Sequence, residues 1–344
     1  MSLTIVRGSL GGLPLRAALR RGALVAAANW PVVLAQFVSV SVCRLALAVP
    51  VISGAFMVAV LAEADVRTMF ADGITSATGR VITSLLHRPM ALWSFVGALG
   101  VVAAGSGVVS WLTQAGVRGI LNRGEHLADD LQEPPFRFEA FSRAGAFSLE
   151  AFMSAVNHLG RRYVLVGAWL YVAYGMVGAG AIGGLVLAAR LAGRPGWSMV
   201  LPVSALGVTA VALVMVAALQ LAHALLQIIM ATDDCRLSSA VKHLRVFLLH
   251  DARQVLGIFS VVLVLMLLAT AASVLATAGL ALVAWVPFVG LAVVPLQLAA
   301  WLVRGVVFHY MDLSAWAAYQ SQYRRYAEPA SAGSGPNGSR RFLV

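Results

Sequence analysis

QVLGIFSVVLVLMLLATAASVLATAGLALVAWVPFVGLAVVPLQLAAWLV, from Gln254 to Val303, is fifty residues without an Asp, Glu, Lys or Arg. About twenty apolar residues cross roughly 30 Å of hydrocarbon as a helix. Fifty therefore suit two helices, parted in the region Ala278–Ala284. Further apolar runs at Leu45–Ala62, Pro89–Leu112, Tyr163–Leu191 and Val200–Ile229 supply four more. The fold expected is an all-α polytopic membrane bundle of six transmembrane helices.

Composition agrees. Of 344 residues, 60% are hydrophobic and 11% charged, with a mean hydropathy of +0.86. Soluble domains carry about 25% charged residues. The isoelectric point near 10.7 reflects Arg-rich loops facing anionic lipid headgroups, and no nucleic-acid partner is expected.

The basic residues orient the chain. Nineteen of the twenty-five fall in the N-terminal segment, the loops after the second and fourth spans, and the C-terminal side. Five, Arg67, Arg80, Arg88, Arg190 and Arg194, fall on the other side, and Arg44 stands at the mouth of the first span. Basic residues accumulate in the cytoplasm, so both termini are expected there, in a bacterial inner membrane. No cleavable signal peptide is expected. Cys43 and Cys235 are expected to be reduced.

The expected organisation is an interfacial or cytoplasmic segment 1–44, a hairpin 45–112, a cytoplasmic loop with an amphipathic helix 113–162, a hairpin 163–229, an amphipathic segment 230–254, a hairpin 255–310, and a tail 311–344. The Ala-, Gly-, Ser- and Pro-rich stretch Ala327–Ser339 within that tail is expected to be disordered. Residues 24–43 are apolar but interrupted by Asn29, Pro31, Gln36, Ser39 and Ser41. They can span or lie at the interface, and the interfacial reading keeps Arg44 out of the bilayer centre, where a charge costs about 2.5 kcal/mol or more.

Ser154-Ala-Val-Asn-His-Leu159 recurs as Ser239-Ala-Val-Lys-His-Leu244. Each copy lies on an amphipathic stretch before an odd-numbered span, marked by Phe147, Phe152, Val156 and Leu159 in one and Leu237, Val241, Leu244 and Leu248 in the other. With Leu15–Leu24 as a diverged copy, the chain reads as three repeats of interfacial helix plus hairpin. Val286-Pro-Phe-Val-Gly290 and Tyr310-Met-Asp-Leu-Ser314, at the ends of the last span, add a resemblance. The layout is similar to uncharacterised bacterial six-span integral membrane families, including the membrane domain fused to some glycerophosphodiester phosphodiesterases. That resemblance implies a fold type, and no phosphodiesterase activity is carried over with it.

Chemical motifs are few. Gly178-Ala-Gly-Ala-Ile-Gly183 spells a dinucleotide fingerprint but lies inside the third span, where small residues serve helix packing, as in the pair Gly180 and Gly184. Gly97, Gly100, Gly105 and Gly107 read the same way. There is no HExxH, CxxC, GxSxG or Walker motif. Asp233-Asp234-Cys235 and His250-Asp251 would need the fold to bring further ligands. No catalytic residue, cofactor or metal is therefore expected.

The candidate polar pocket comprises Gln220, His223 and Gln227 on one face of the fourth span, with Gln297 and Arg304 on one face of the sixth. Polar groups in a bilayer usually face the bundle interior or a wet cavity, so His223 and Arg304 are expected to point inward, with Arg304 as clamp for an anionic headgroup. Thr270, Ser273 and Thr277 form a weaker stripe, because hydroxyls bond their own helix. All fourteen acids fall in loops or at span ends, which argues against a proton-driven carrier. The function expected is a non-enzymatic inner-membrane protein acting in an envelope or lipid-related process through partners, which can be other proteins or further copies of the chain. The alternative is a transporter or lipid-handling protein with a cytoplasm-facing cavity among spans three to six. Membrane lipids with anionic headgroups are the expected partners at the cytoplasmic face.

Overall fold

Apolar runs of this length, with no water to satisfy their backbone, have to close their hydrogen bonds within helices. The computed structural model describes residues 14–61, 89–128, 131, 137–192, 199–284 and 289–333, and among them it contains eight helices and no strand. These are α1 (Leu15–Ala28), α2 (Trp30–Leu61), α3 (Pro89–Leu127), α4 (Phe138–Ala144), α5 (Leu149–Ala192), α6 (Val200–Asp233), α7 (Leu237–Ala284) and α8 (Val289–Gly333). Six of them, α2, α3 and α5 to α8, are long and apolar enough to cross a membrane. The chain is a multi-pass membrane protein of the expected all-α class.

The spans form a ring in chain order, α2 against α3, α3 against α5, then α6, α7 and α8, closed by α8 against α2. Inside the ring, α6 touches both α3 and α8. Helix α1 packs along the C-terminal half of α8, where Gly22 lets the two backbones meet. A Cβ there would stand 2.3 Å from the Ser314 carbonyl oxygen. The Tyr310 hydroxyl donates to the Ala23 carbonyl at 3.0 Å beside this crossing.

The helices exceed what a bilayer needs. At 1.5 Å per residue, the 44 residues of α5 run about 66 Å. The surplus is at one end of the ring, which also holds the core. Ile228, Ile229, Phe247, Val255, Ile258, Tyr319 and Tyr323 form one cluster with Ala18 of α1. Val25, Val32, Ile120, Leu121 and Leu313 form a second, roofed by α4. The outer halves instead expose apolar side chains such as Trp93, Ile182, Leu213 and Leu275, as a lipid-facing surface does.

Several boundaries differ from the sequence reading. The chain turns at Asn29 and not near Arg44, because Pro31 lacks the N–H that a helix running through from α1 would need and is tolerated in a first turn. Asn29 fills the break. Its Nδ2 donates to Val25 O at 3.0 Å and Ala144 O at 2.8 Å, and its Oδ1 accepts from Ala146 N at 2.9 Å. Residues 30–43 thus begin the first span-capable helix, Trp30–Gly54, and Arg44 lies exposed midway along α2. Residues 113–127, expected to open a loop, continue α3.

The segment before the third span is not a separate helix, while the one before the fifth is a helix joined to its span across a kink. Residues 149–162 are the first turns of α5, and residues 237–254 belong to α7, which is kinked at Asp251 (φ −117°, ψ 22°). Helix α7 also continues to Ala284, so Ala278–Ala284 is not the turn. Helix α8 runs to Gly333, into the stretch expected to be disordered. Arg67, Arg80, Arg88, Arg194, Pro134-Pro135, Val286-Pro-Phe288 and 334–344 lie outside the described residues.

Candidate functional site

Gln114 and Arg118 are four apart on α3 and so share a face. Ala115, Val117, Ile120 and Leu121 are buried against neighbouring helices, and this leaves the Gln114–Arg118 face for the centre of the ring. On α8, Asp312, Trp316 and Tyr319 are spaced by four and three and face the same way. Together with Gln36 of α2, Gln220 and His223 of α6 and an apolar patch of α7, they line a cavity of about 420 Å³.

Arg118 is 2% exposed, and a buried guanidinium needs partners. Its Nη1 donates to the Ala224 carbonyl at 2.5 Å. Its Cζ lies 4.1 Å from the Trp316 ring centroid, a cation–π contact worth about 2 kcal/mol or more when desolvated. Asp312 lies within electrostatic reach. Arg118 Nε, His223 Nδ1 and Gln36 Oε1 are buried without a hydrogen-bond partner. Such orphaned atoms are costly, and three of them come from groups lining one cavity. An anionic group placed there would accept from Arg118 Nε, and a donor group would satisfy Gln36 Oε1.

The expected pocket residues divide. Gln220 and His223 line the cavity. Gln227 is buried behind it, donating from Nε2 to Gln114 Oε1 at 3.0 Å, while its carbonyl accepts from the Tyr163 hydroxyl at 2.7 Å. Gln297 is half-buried and does not line the cavity, and Arg304 is exposed, its guanidinium 5.5 Å from the Phe308 ring centroid. The inward Arg304 does not hold, because a long side chain with an aromatic neighbour on its own helix can remain outside. The arginine that lines the cavity is Arg118.

Sequence pattern does not pick out Arg118, because residues 113–162 read as a loop. The signal that could have found it is the pair Gln114 and Arg118 set among apolar residues continuing to Leu121. Asp312 is likewise more than a span-end acid, since it lines the cavity. The third span, α5, contributes nothing to this lining.

Two further surfaces stand out on the molecule. A groove of about 530 Å³ between α5 and α6, lined by residues such as Met176, Gly180, Val208 and Met215, is almost wholly apolar and suits lipid acyl chains. Gly180 meets no neighbour there, while Gly184 approaches Val208, so helix packing accounts for one of that pair. Gly97, Gly100 and Gly105 also meet nothing, whereas Gly107 faces Tyr171. Thr270 and Thr277 bond the carbonyls of Met266 and Ser273 in their own helix, as hydroxyls in spans do.

The turn between α6 and α7 brings Asp233, Cys235 and His243 together, with their donor atoms within 4.8 Å of one another. Burial, followed by the neighbouring Asp233 carboxylate, pushes the Cys235 thiol pKa up. Comparison of the chain with protein-family models, with curated proteins and with solved structures gives no match.

Proposed function

We propose that this protein is a non-enzymatic, lipid-handling or transport protein of a bacterial inner membrane that takes an anionic or zwitterionic headgroup into its central cavity. The carrying observation is the buried Arg118 with an unpartnered Nε, facing His223 and Gln36 across a cavity. Its volume of about 420 Å³ falls in the roughly 300–1,000 Å³ range of small-molecule sites. Arg118 supplies the planar fork that phosphate or carboxylate accepts, Trp316 backs it, and Asp312 balances its charge or meets a ligand's ammonium group. The buried core lies at the end of the ring that carries most of the Arg, and we read that end as cytoplasmic. The cavity is therefore read as reached from that side.

A role exercised only through protein partners would draw on the exposed apolar outer halves, which lipid covers equally well. The cavity is what favours the handling reading.

Native mass spectrometry of protein released from native-lipid nanodiscs tests it. The wild type is expected to retain a defined anionic or zwitterionic species, and Arg118→Lys to lose it while remaining monodisperse, because a point charge cannot replace the fork. Arg304→Lys is expected to retain it. A wild type with no retained species, or an Arg118→Lys protein with an unchanged complement, would reject the proposal.

A further inference from the structure

The repeated Ser-Ala-Val-x-His-Leu motif converges on one place. His158 from the first copy and His243 from the second reach consecutive carboxylates at the end of α6. His158 Nε2 lies 2.9 Å from Asp234 Oδ1, and His243 Nδ1 lies 2.9 Å from Asp233 Oδ2. Asp234 adopts a left-handed conformation (φ 46°), so the chain turns between the two carboxylates and sends them to different sides.

The sides differ in chemistry. Asp234 also accepts from Arg162 Nη1 at 2.5 Å, and its charge is matched by protein. Asp233 instead has the Cys235 sulfur and the His243 imidazole beside it, all three donor atoms within 4.8 Å. The Tyr323 hydroxyl of α8 donates to the same Asp233 Oδ2.

We propose that Asp233, Cys235 and His243 form a binding site for a borderline-soft divalent cation of the zinc class. Thiolate and imidazole donors select such ions over magnesium or calcium. Three protein ligands with a fourth position open to water are a common zinc arrangement, with bonds of about 2.0–2.3 Å. Tetrahedral bonds of that length set donors about 3.3–3.8 Å apart, so side-chain rotation closes the remaining gap. On binding, Cys235 releases its thiol proton to solvent as the sulfur–metal bond forms. His243 ligates as the neutral ring with its proton on Nε2, exchanging its contact with Asp233 for the metal. Tyr323 then holds the carboxylate in place from outside the coordination shell, as second-shell groups do.

The site ties the end of α6 to α7, and through Tyr323 to α8, and it stands apart from the central cavity. Sequence spacing did not disclose it, because Asp233 and Cys235 lie eight to ten residues from His243 and meet it only when α7 folds back along α6.

The test uses tag-free full-length protein in detergent, stripped with chelator and titrated with Co²⁺ and then Zn²⁺. The expected result is one equivalent of Co²⁺ with thiolate-to-metal charge-transfer absorption and the visible bands of tetrahedral cobalt, both bleached by Zn²⁺. Cys235→Ser abolishes the charge-transfer band, Cys43→Ser leaves it intact, and Tyr323→Phe weakens affinity by about 10–100-fold. Wild-type protein that binds no cobalt, or that binds it with a charge-transfer band surviving in Cys235→Ser, overturns the site whatever the variants do to folding.

Discussion

At the scale of single residues, the interior is built around polar groups that have to be satisfied. Arg21 and Glu125, with side chains 7% and 4% exposed, pair through Arg21 Nε and Glu125 Oε1 at 2.5 Å, and Arg21 Nη2 adds a bond to the Glu125 carbonyl at 3.2 Å. Removing one partner strands the other charge. Arg21→Ala is therefore expected to destabilise by about 3–5 kcal/mol, and joint replacement by Leu and Met to recover most of that. Denaturant unfolding in mixed micelles measures both, and equal losses for single and double variants would contradict the pairing. Neither residue was singled out from the sequence, because Arg21 read as part of a solvated basic segment and Glu125 as a loop acid. A charge on an apolar stripe is legible one residue at a time, but its partner about a hundred positions away is not.

At the scale of elements, breaks and crossings are set by a few residues. Asn29 serves both the end of α1 and the approach of α4 through three hydrogen bonds. Asn29→Ala leaves the Ala144 carbonyl and the Ala146 N–H without this partner, at about 1–3 kcal/mol for each group that stays buried. Faster hydrogen exchange confined to the end of α1 and residues 138–148 would report it. Gly22→Val is expected to lift α1 from α8, since even a Cβ would stand 2.7 Å from the Ala318 nitrogen and 2.3 Å from the Ser314 oxygen. Protease cleavage within α1 should then rise, and unchanged protection would mean that the helices do not meet as described. Apolar periodicity found the helical segments. It missed that the stretch before the third span runs on into that span, because amphipathic and uniformly apolar turns share one backbone hydrogen-bond ladder. Only the Asp251 kink in α7 marks such a junction.

At the scale of the whole molecule, six span-capable helices close a ring, and α1 lies along the C-terminal half of α8, so both ends of the described chain share the end that holds the core. Reporters fused at Val344 and after Leu191 are therefore expected to give opposite signals, and matching signals would refute six crossings. The all-α membrane class and the six span-capable helices were legible in the sequence alone, although the first of them begins at Trp30 and not at Leu45. Hydrocarbon tolerates only helices with closed backbone hydrogen bonds, and that demand writes itself along the chain as long runs without charge. Within Tyr310–Ser314, Tyr310 anchors α1 and Asp312 lines the cavity. What tertiary structure alone decided is which polar groups face one another. Arg118, His223 and Asp312 come from α3, α6 and α8, and Asp233, Cys235 and His243 meet across a turn. Side chains on separate helices are brought together by the rotation of each helix about its axis. That rotation is fixed by packing at residues such as Gly22, Leu121 and Phe247, and no local run of residues records it.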